Sequence, residues 1–194
     1  MLVKEVMTSP AITIPVGTSI KDALTLLDEH HVTSLPVTDR RGHLVGIVNE
    51  ADLLRHAVRH DARAHMILDE RVGESPSRIQ DVMAQLPMTV TGESDLSDAV
   101  ELMNSTAIKS LPVVEDGQVV GVVSRSDVVH LLARSDKHIH GDIQELLRSA
   151  GVRGEVSVDG GVARIEKLED PAQWRVAEVL VGSVPGVISV QFPG

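Results

Sequence analysis

Apolar positions along this chain follow two rhythms that recur in the same order. A helical rhythm places Ile20, Ala23, Leu24 and Leu27 at i, i+3, i+4 and i+7, and places Leu96, Ala99, Val100 and Met103 at the same spacing. Ser19 followed by Asp22 marks the start of the first of these helices as a capping box would. After each helix come two nearly continuous aliphatic runs, residues 34–38 and 44–48 and then 110–114 and 119–123, rich in the β-branched residues that suit buried strands. Arg41-Gly42 and Asp116-Gly117 mark the turn inside each pair. A short extended piece, 11–15 or 87–90, precedes each helix, and a closing helix starts near Glu50 or Ser126. Each half therefore reads β-α-β-β-α.

The halves repeat in detail as well as in rhythm. Val6-Met7 recurs as Val82-Met83, Ser34-Leu35-Pro36-Val37 as Ser110-Leu111-Pro112-Val113, and Gly46 to Asp52 as Gly121 to Asp127. A period this long signals two similar supersecondary units rather than a solenoid array. Units this small bury only modest cores, so the copies are expected to pair with each other. Residues 61–77, polar and charged with Gly73 and Pro76, read as a linker between residues 1–60 and 78–134.

From about Lys137 the pattern changes. Ile139, Ile143, Leu146 and Leu147 mark an amphipathic helix, and residues 154–158 and 162–168 read as strands joined at Asp159-Gly160-Gly161, a hairpin signal. Pro171 suits a helix start, Trp174, Ala177, Leu180, Val181 and Val184 form an apolar stripe, Pro185-Gly186 ends that helix, and residues 187–192 form a last strand. Residues 137–194 thus read as a separate α-β-β-α-β domain.

Composition narrows the function. With one Trp, one Phe and no Tyr, the cores are aliphatic and stacking platforms for single-stranded nucleic acid are missing. A formal net charge of -10 repels phosphate backbones, so no nucleic-acid partner is expected. The absence of Cys excludes disulfides, thiolate metal sites and Cys nucleophiles. The stretch from Met1 to Glu5 lacks the apolar core of a signal peptide, and no uncharged apolar run approaches the roughly 20 residues of a membrane span. A soluble cytoplasmic protein is expected. Ser124-Arg125-Ser126 lies in no nucleophile-elbow context, and neither Gly-x-Gly-x-x-Gly nor a phosphate-loop lysine is present, so the expectation is not an enzyme.

The candidate chemistry sits at the repeated strand–helix junction. Ser124 and Asp127, three residues apart, suit a ligand with adjacent hydroxyls such as a ribose; Asp127 also suits a helix cap, and the two roles are compatible. In the first copy Asn49 stands in place of the hydroxyl beside Asp52. His56, His60 and His65 have a spacing that can bind a metal, but with no adjoining carboxylate pair they read as solvated histidines and no metal is expected. Trp174 reads as core in preference to a membrane anchor.

The junction motif with Gly, a hydroxyl or amide residue and Asp, together with the Leu-Pro-Val strand in both copies, resembles a tandem of cystathionine-β-synthase (CBS) domains, a Bateman module. Asp159-Gly160-Gly161 and Val184-Pro185-Gly186-Val187 make residues 137–194 similar to a BON domain, with Lys167 where many members carry Gly. The fold class implied is α/β and α+β: two β-α-β-β-α units in a pseudo-twofold pair, plus the small α-β-β-α-β domain. The resemblance implies clefts for AMP, ADP, ATP or S-adenosylmethionine, with no resident cofactor. Thr89, Val90, Leu111 and Pro112 would wall the adenine slot beside Ser124 and Asp127, with Lys109 and Arg125 as phosphate contacts; Thr13, Ile14, Leu35 and Pro36 would wall the cleft of Asn49 and Asp52. It also implies a homodimer through the CBS units, an effector protein not fused to this chain, and phospholipid contact as a weaker option for the BON domain. The expected function is a regulatory sensor with the last domain as output; the alternative is a non-catalytic scaffold docking to a membrane surface or partner protein.

Overall fold

The computed structural model describes residues 1–58 and 76–192. Among these residues the order is β1 (Ile14–Pro15), α1 (Ile20–His30), β2 (Ser34–Thr38), β3 (Leu44–Asn49), α2 (Glu50–Ala57), β4 (Ala84–Gln85), α3 (Leu96–Ser105), β5 (Ser110–Glu115), β6 (Gln118–Ser124), α4 (Arg125–Leu132), α5 (Asp136–Ser149), β7 (Gly154–Asp159), β8 (Val162–Leu168), α6 (Trp174–Gly182) and β9 (Ser189–Gln191). Most of the expected linker lies outside the described residues. The mixed α/β class and the duplicated plan are present. Two compact units form, residues 2–124 and 125–194.

In residues 2–124, local signals place the helices as expected. The Ser19 hydroxyl accepts from the Asp22 amide at 3.0 Å and starts α1. Ile20, Ala23 and Leu27 of α1, and Leu96, Ala99 and Met103 of α3, turn inward and are buried. β2 pairs antiparallel with β3 and β5 with β6. β1 runs parallel to β2, with Ile14 opposite Val37. Its counterpart in the second copy shrinks to a single parallel bridge between Val90 and Val113; Pro87, inside the expected 87–90 strand, has no amide to donate.

The unexpected feature is an exchange of leading segments. Residues 77–85 precede the second copy yet pack on the first. Ile79 lies at 0% exposure in the core of Ile14, Leu27, Leu35, Val48 and Leu53, its amide donates to Thr18 O at 3.0 Å, and β4 forms the edge of the β1-β2-β3-β4 sheet, pairing with β3. Residues 2–8 do the converse. Val3 donates to Ser94 O at 2.9 Å, and Thr8 and Val122 exchange amide–carbonyl bonds at 2.9 and 3.1 Å. Two glycines permit this. A Cβ on Gly46 would stand 2.6 Å from Met83 Sδ and 2.9 Å from the Ala84 carbonyl; one on Gly121 would stand 2.5 Å from Met7 Sδ and 3.0 Å from the Thr8 carbonyl. No side chain fits between those backbones. At the centre of the exchange the equivalent residues Ser34 and Ser110 meet, buried, with their hydroxyls 2.6 Å apart.

In residues 125–194, β7 and β8 form the antiparallel hairpin and β9 pairs parallel with β8. Gly160 and Gly161 adopt φ of +57° and +76°, the left-handed pair that a tight hairpin turn requires. The Asp136 carboxylate, at the start of α5, accepts from both of their amides at 2.9 and 2.8 Å. Ile139, Ile143 and Leu147 of α5 pack with Ala163 and Ile165 of β8 and Ala177 and Val181 of α6. Trp174 joins this core partly buried and meets Phe192 edge-on, the ring centroids 5.4 Å apart. By backbone contacts α4 groups with this second unit. Arg134, just past α4, donates to Pro185 O at 2.8 Å and to Asp142 at 2.6 Å, which fastens the end of α4 to α5 and to the turn after α6.

Candidate functional site

Because leading segments are exchanged, the cavity within residues 2–124 is composite. The first copy supplies the approach to β2 (Thr33, Ser34), Ile47 of β3, and the β3–α2 junction at Asn49 and Glu50. The second copy supplies Ala84 to Met88 and Ala107 to Ser110. These surfaces enclose about 490 Å³, within the ordinary range of small-molecule sites.

The junction geometry follows from helix capping. Asn49 is extended, φ -116° and ψ 165°, and ends β3. Its Oδ1 accepts from the Asp52 amide at 2.9 Å, while Asp52 Oδ2 accepts from the Asn49 amide at 3.4 Å, a reciprocal capping box on α2. That arrangement leaves the Asn49 side-chain amide group and one Asp52 oxygen to act on a ligand. Asn49 lines the cavity; Asp52 stands half-buried one turn in, outside the lining. Much of the remaining wall is aliphatic: Leu86, Pro87, Met88 and Ile108. Leu86 and Ala107 both hold left-handed backbone, φ +54° and +59°, a conformation seen where surrounding structure imposes it and common at ligand sites. Leu86 is 94% exposed, an apolar side chain held out at the rim. Among the described residues the charged members of the lining are Glu50 and Lys109, with Nζ 3.7 Å from Oε1.

This arrangement can take a flat or sugar-bearing molecule against aliphatic walls, with amide and carboxylate groups at one end for hydroxyls. It brings together Asn49 and Lys109, which sequence reasoning assigns to different copies. Charge alone groups Lys109 with Ser124; the crossing of segments puts it in the cavity of Asn49 instead. Ile14, Leu35 and Leu111 are at 1, 0 and 0% exposure in the interior, and they, Thr13, Pro36, Thr89, Val90 and Pro112 are not among the lining residues. Val90 and Pro112 instead share a backbone bond at 3.1 Å, and Thr89 is exposed. Ser124 closes β6 opposite Ser110. Arg125 opens α4, exposed, and Asp127 lies half-buried in its first turn. Sequence reasoning misses Ile47, Glu50, Gln85, Leu86, Met88 and Ile108. Their only trace in the sequence is that Val82-Met83 heads the second copy as Val6-Met7 heads the first.

Elsewhere, a more open cavity of about 420 Å³ in the C-terminal unit carries Arg148, Arg153 and Lys167 beside Glu155 and Glu169, a mixture of both signs. His56 lies near the end of α2, exposed, while His60 and His65 lie outside the described residues. Among the described residues no three His, Asp or Glu side chains gather as a metal site, and no helix is long and apolar enough to cross a membrane.

Known proteins share this architecture. The family model described as CBS domain matches twice, over residues 3–59 and 79–134. A CBS domain-containing protein of Dictyostelium discoideum is 32% identical over 135 residues, covering 69% of this chain and 92% of that protein. The CBS domain pair of protein MJ0100, solved in complex with 5′-methylthioadenosine and S-adenosyl-L-methionine, superposes with a TM-score of 0.56 at 28% identity, covering 68% of this chain and 94% of that one. CBSX2 of Arabidopsis thaliana, solved in complex with AMP, gives a TM-score of 0.54 at 33% identity, covering 66% and 93%.

Proposed function

The chain belongs to the CBS domain family, and from that premise we propose that it is a non-catalytic regulatory sensor that binds an adenosine-containing ligand in the cavity of Asn49 and Lys109. The observation that carries this reading is the composite cavity of about 490 Å³ between exchanged segments, lined by the Asn49 amide and by aliphatic side chains. Two structural neighbours hold AMP or S-adenosylmethionine with 5′-methylthioadenosine, which supports the ligand class. Ser124, Asp127 and Arg125 occupy the equivalent junction of the second copy and act there in the same sense, as ribose and phosphate contacts. The C-terminal unit, with the element order of a BON domain, serves as output. The exposed apolar residues Leu54 and Val58 in the first copy and Val129 and Leu132 on α4 support homodimer formation through the CBS units of a cytoplasmic protein.

Calorimetry of the whole chain with AMP, ADP, ATP and S-adenosylmethionine tests the reading: binding below millimolar concentration is expected for at least one, and none for any overturns it. Output has its own reporter. Trp174 is the sole tryptophan and belongs to the C-terminal core. A ligand-induced change in its emission is expected if that unit reads the ligand.

A second reading, a scaffold whose last unit docks to a membrane surface or partner protein, is favoured by Val176, Val179 and Ile188, which are 50, 71 and 62% exposed. Co-flotation of the whole chain with anionic liposomes would support the lipid form of it.

A further inference from the structure

The cavity's walls are nearly uncharged. Among the described residues that line it, only Glu50 and Lys109 carry charge, and they face each other at 3.7 Å. The described lining is therefore neutral in sum, and its one cation already has a carboxylate beside it. A phosphate arriving on the 5′ carbon of an adenosine would have to take Lys109 away from Glu50 and would then lie next to that carboxylate. A polyphosphate would bring three or four negative charges to the same single cation, within a chain whose formal net charge is -10. An uncharged 5′ substituent leaves the pair intact, and a cationic one gains from Glu50. At the junction of the second copy Arg125 stands where Glu50 stands in the first, and Thr33 is the repeat equivalent of Lys109, so the Glu–Lys combination is not repeated there.

We propose that the Glu50–Lys109 pair sets the charge selectivity of this cavity, admitting adenosine ligands with a thioether or sulfonium at the 5′ carbon and disfavouring 5′-phosphates. The proposal rests on the adenosine-binding reading above and adds to it a selectivity-determining residue, Glu50. Discrimination here comes from an adverse charge as much as from an attractive one.

Met88 provides a local readout. It lines this cavity, is 47% exposed, and is one of six methionines, so its methyl resonance in a methyl-¹³C-methionine sample, assigned with Met88→Leu, reports occupancy of this site. The whole chain is titrated with 5′-methylthioadenosine, S-adenosylmethionine, AMP and ATP. The Met88 signal is expected to saturate with the thioether and the sulfonium at concentrations roughly tenfold below AMP, and with ATP last; each tenfold step corresponds to about 1.4 kcal/mol. Glu50→Gln is expected to tighten AMP roughly fivefold and leave 5′-methylthioadenosine unchanged, whereas Lys109→Gln weakens AMP alone. AMP or ATP saturating Met88 before the thioether in the unmodified chain overturns the proposal. So does an equal change for AMP and thioether in Glu50→Gln. A Met88 signal that no adenosine compound moves overturns the adenosine reading of this cavity itself, a result distinct from loss of selectivity.

Discussion

The two copies of the repeat share a skeleton, and keep Asp52 and Asp127 at the two junctions, but differ at most of the positions that line the cavity. Ser19 caps α1 where Asp95 caps α3. Asn49 and Glu50 stand at one junction where Ser124 and Arg125 stand at the other. The shared positions are the ones that make the exchange possible: Gly46 and Gly121, Met7 and Met83, Ser34 and Ser110. Duplication has thus kept what holds the copies together and released what each cleft presents. Fold and specificity fall largely on different residues, with Ser34 and Ser110, which join the copies and also line the cavity, as the overlap.

That division can be broken most forcefully at the glycines. Gly46→Val and Gly121→Val each drive a side chain into a neighbouring carbonyl and a methionine sulfur, and each should cost about 3 kcal/mol, read as a lowered denaturation midpoint. Equal losses support a symmetric exchange; a tolerated Gly121→Val would mean that only the first copy depends on it.

The serine pair comes next. Ser34→Ala or Ser110→Ala leaves the other hydroxyl buried without its partner and should cost about 1–2 kcal/mol, while the double variant should cost clearly less than the sum. Additive losses would show that the hydroxyls do not act as a pair.

Smaller effects separate the junctions. Asn49→Ala removes the α2 cap and should cost about 1 kcal/mol, whereas Asn49→Ser, which copies the second junction into the first, should change stability by less than about 0.5 kcal/mol because serine caps equally well. A loss in Asn49→Ser as large as in Asn49→Ala would mean that the amide does more than cap.

The smallest difference is one of pH. The Ser97 amide, and then its hydroxyl, bonded to the Asp95 carboxylate hold that group below its ordinary value of 3.8. A carboxyl depressed on folding adds stability above its unfolded value, and that stability is lost as pH falls through the lower folded value. Ser19 does not titrate in this range. Amides at the start of α3 should therefore exchange faster on acidification than those at the start of α1, and Asp95→Ser should abolish the difference.

What the sequence revealed is what is decided locally. The apolar spacing of Ile20 to Leu27 fixes which face of α1 is buried, and Ser19 fixes where it begins. Gly160-Gly161 dictates its own turn. The repeat exposed the junctions at Asn49 and Ser124 because the same backbone task imposes the same residue types twice. What it concealed is long-range. Nothing near Gly46 says that Met83 lies against it, nothing near Lys109 says that its neighbour is Glu50, and nothing near Asp136 says that it holds the amides of Gly160 and Gly161. The wall residues suggested by sequence proximity are not among those that line this cavity, while the junction residue Asn49 does stand at it.

The exchange of residues 2–8 and 77–85 also has a temporal side. During synthesis the first copy emerges with its own strands and helices but without Ile79, which fills its core, or β4, which closes its sheet edge. Residues 2–8 meanwhile wait for β6, more than a hundred positions downstream. Neither copy can finish alone, so the nascent chain should stay protease-sensitive until both are out and then lock in one step. Such distant pairings slow folding, and they tie the completion of the cavity to the completion of the whole pair.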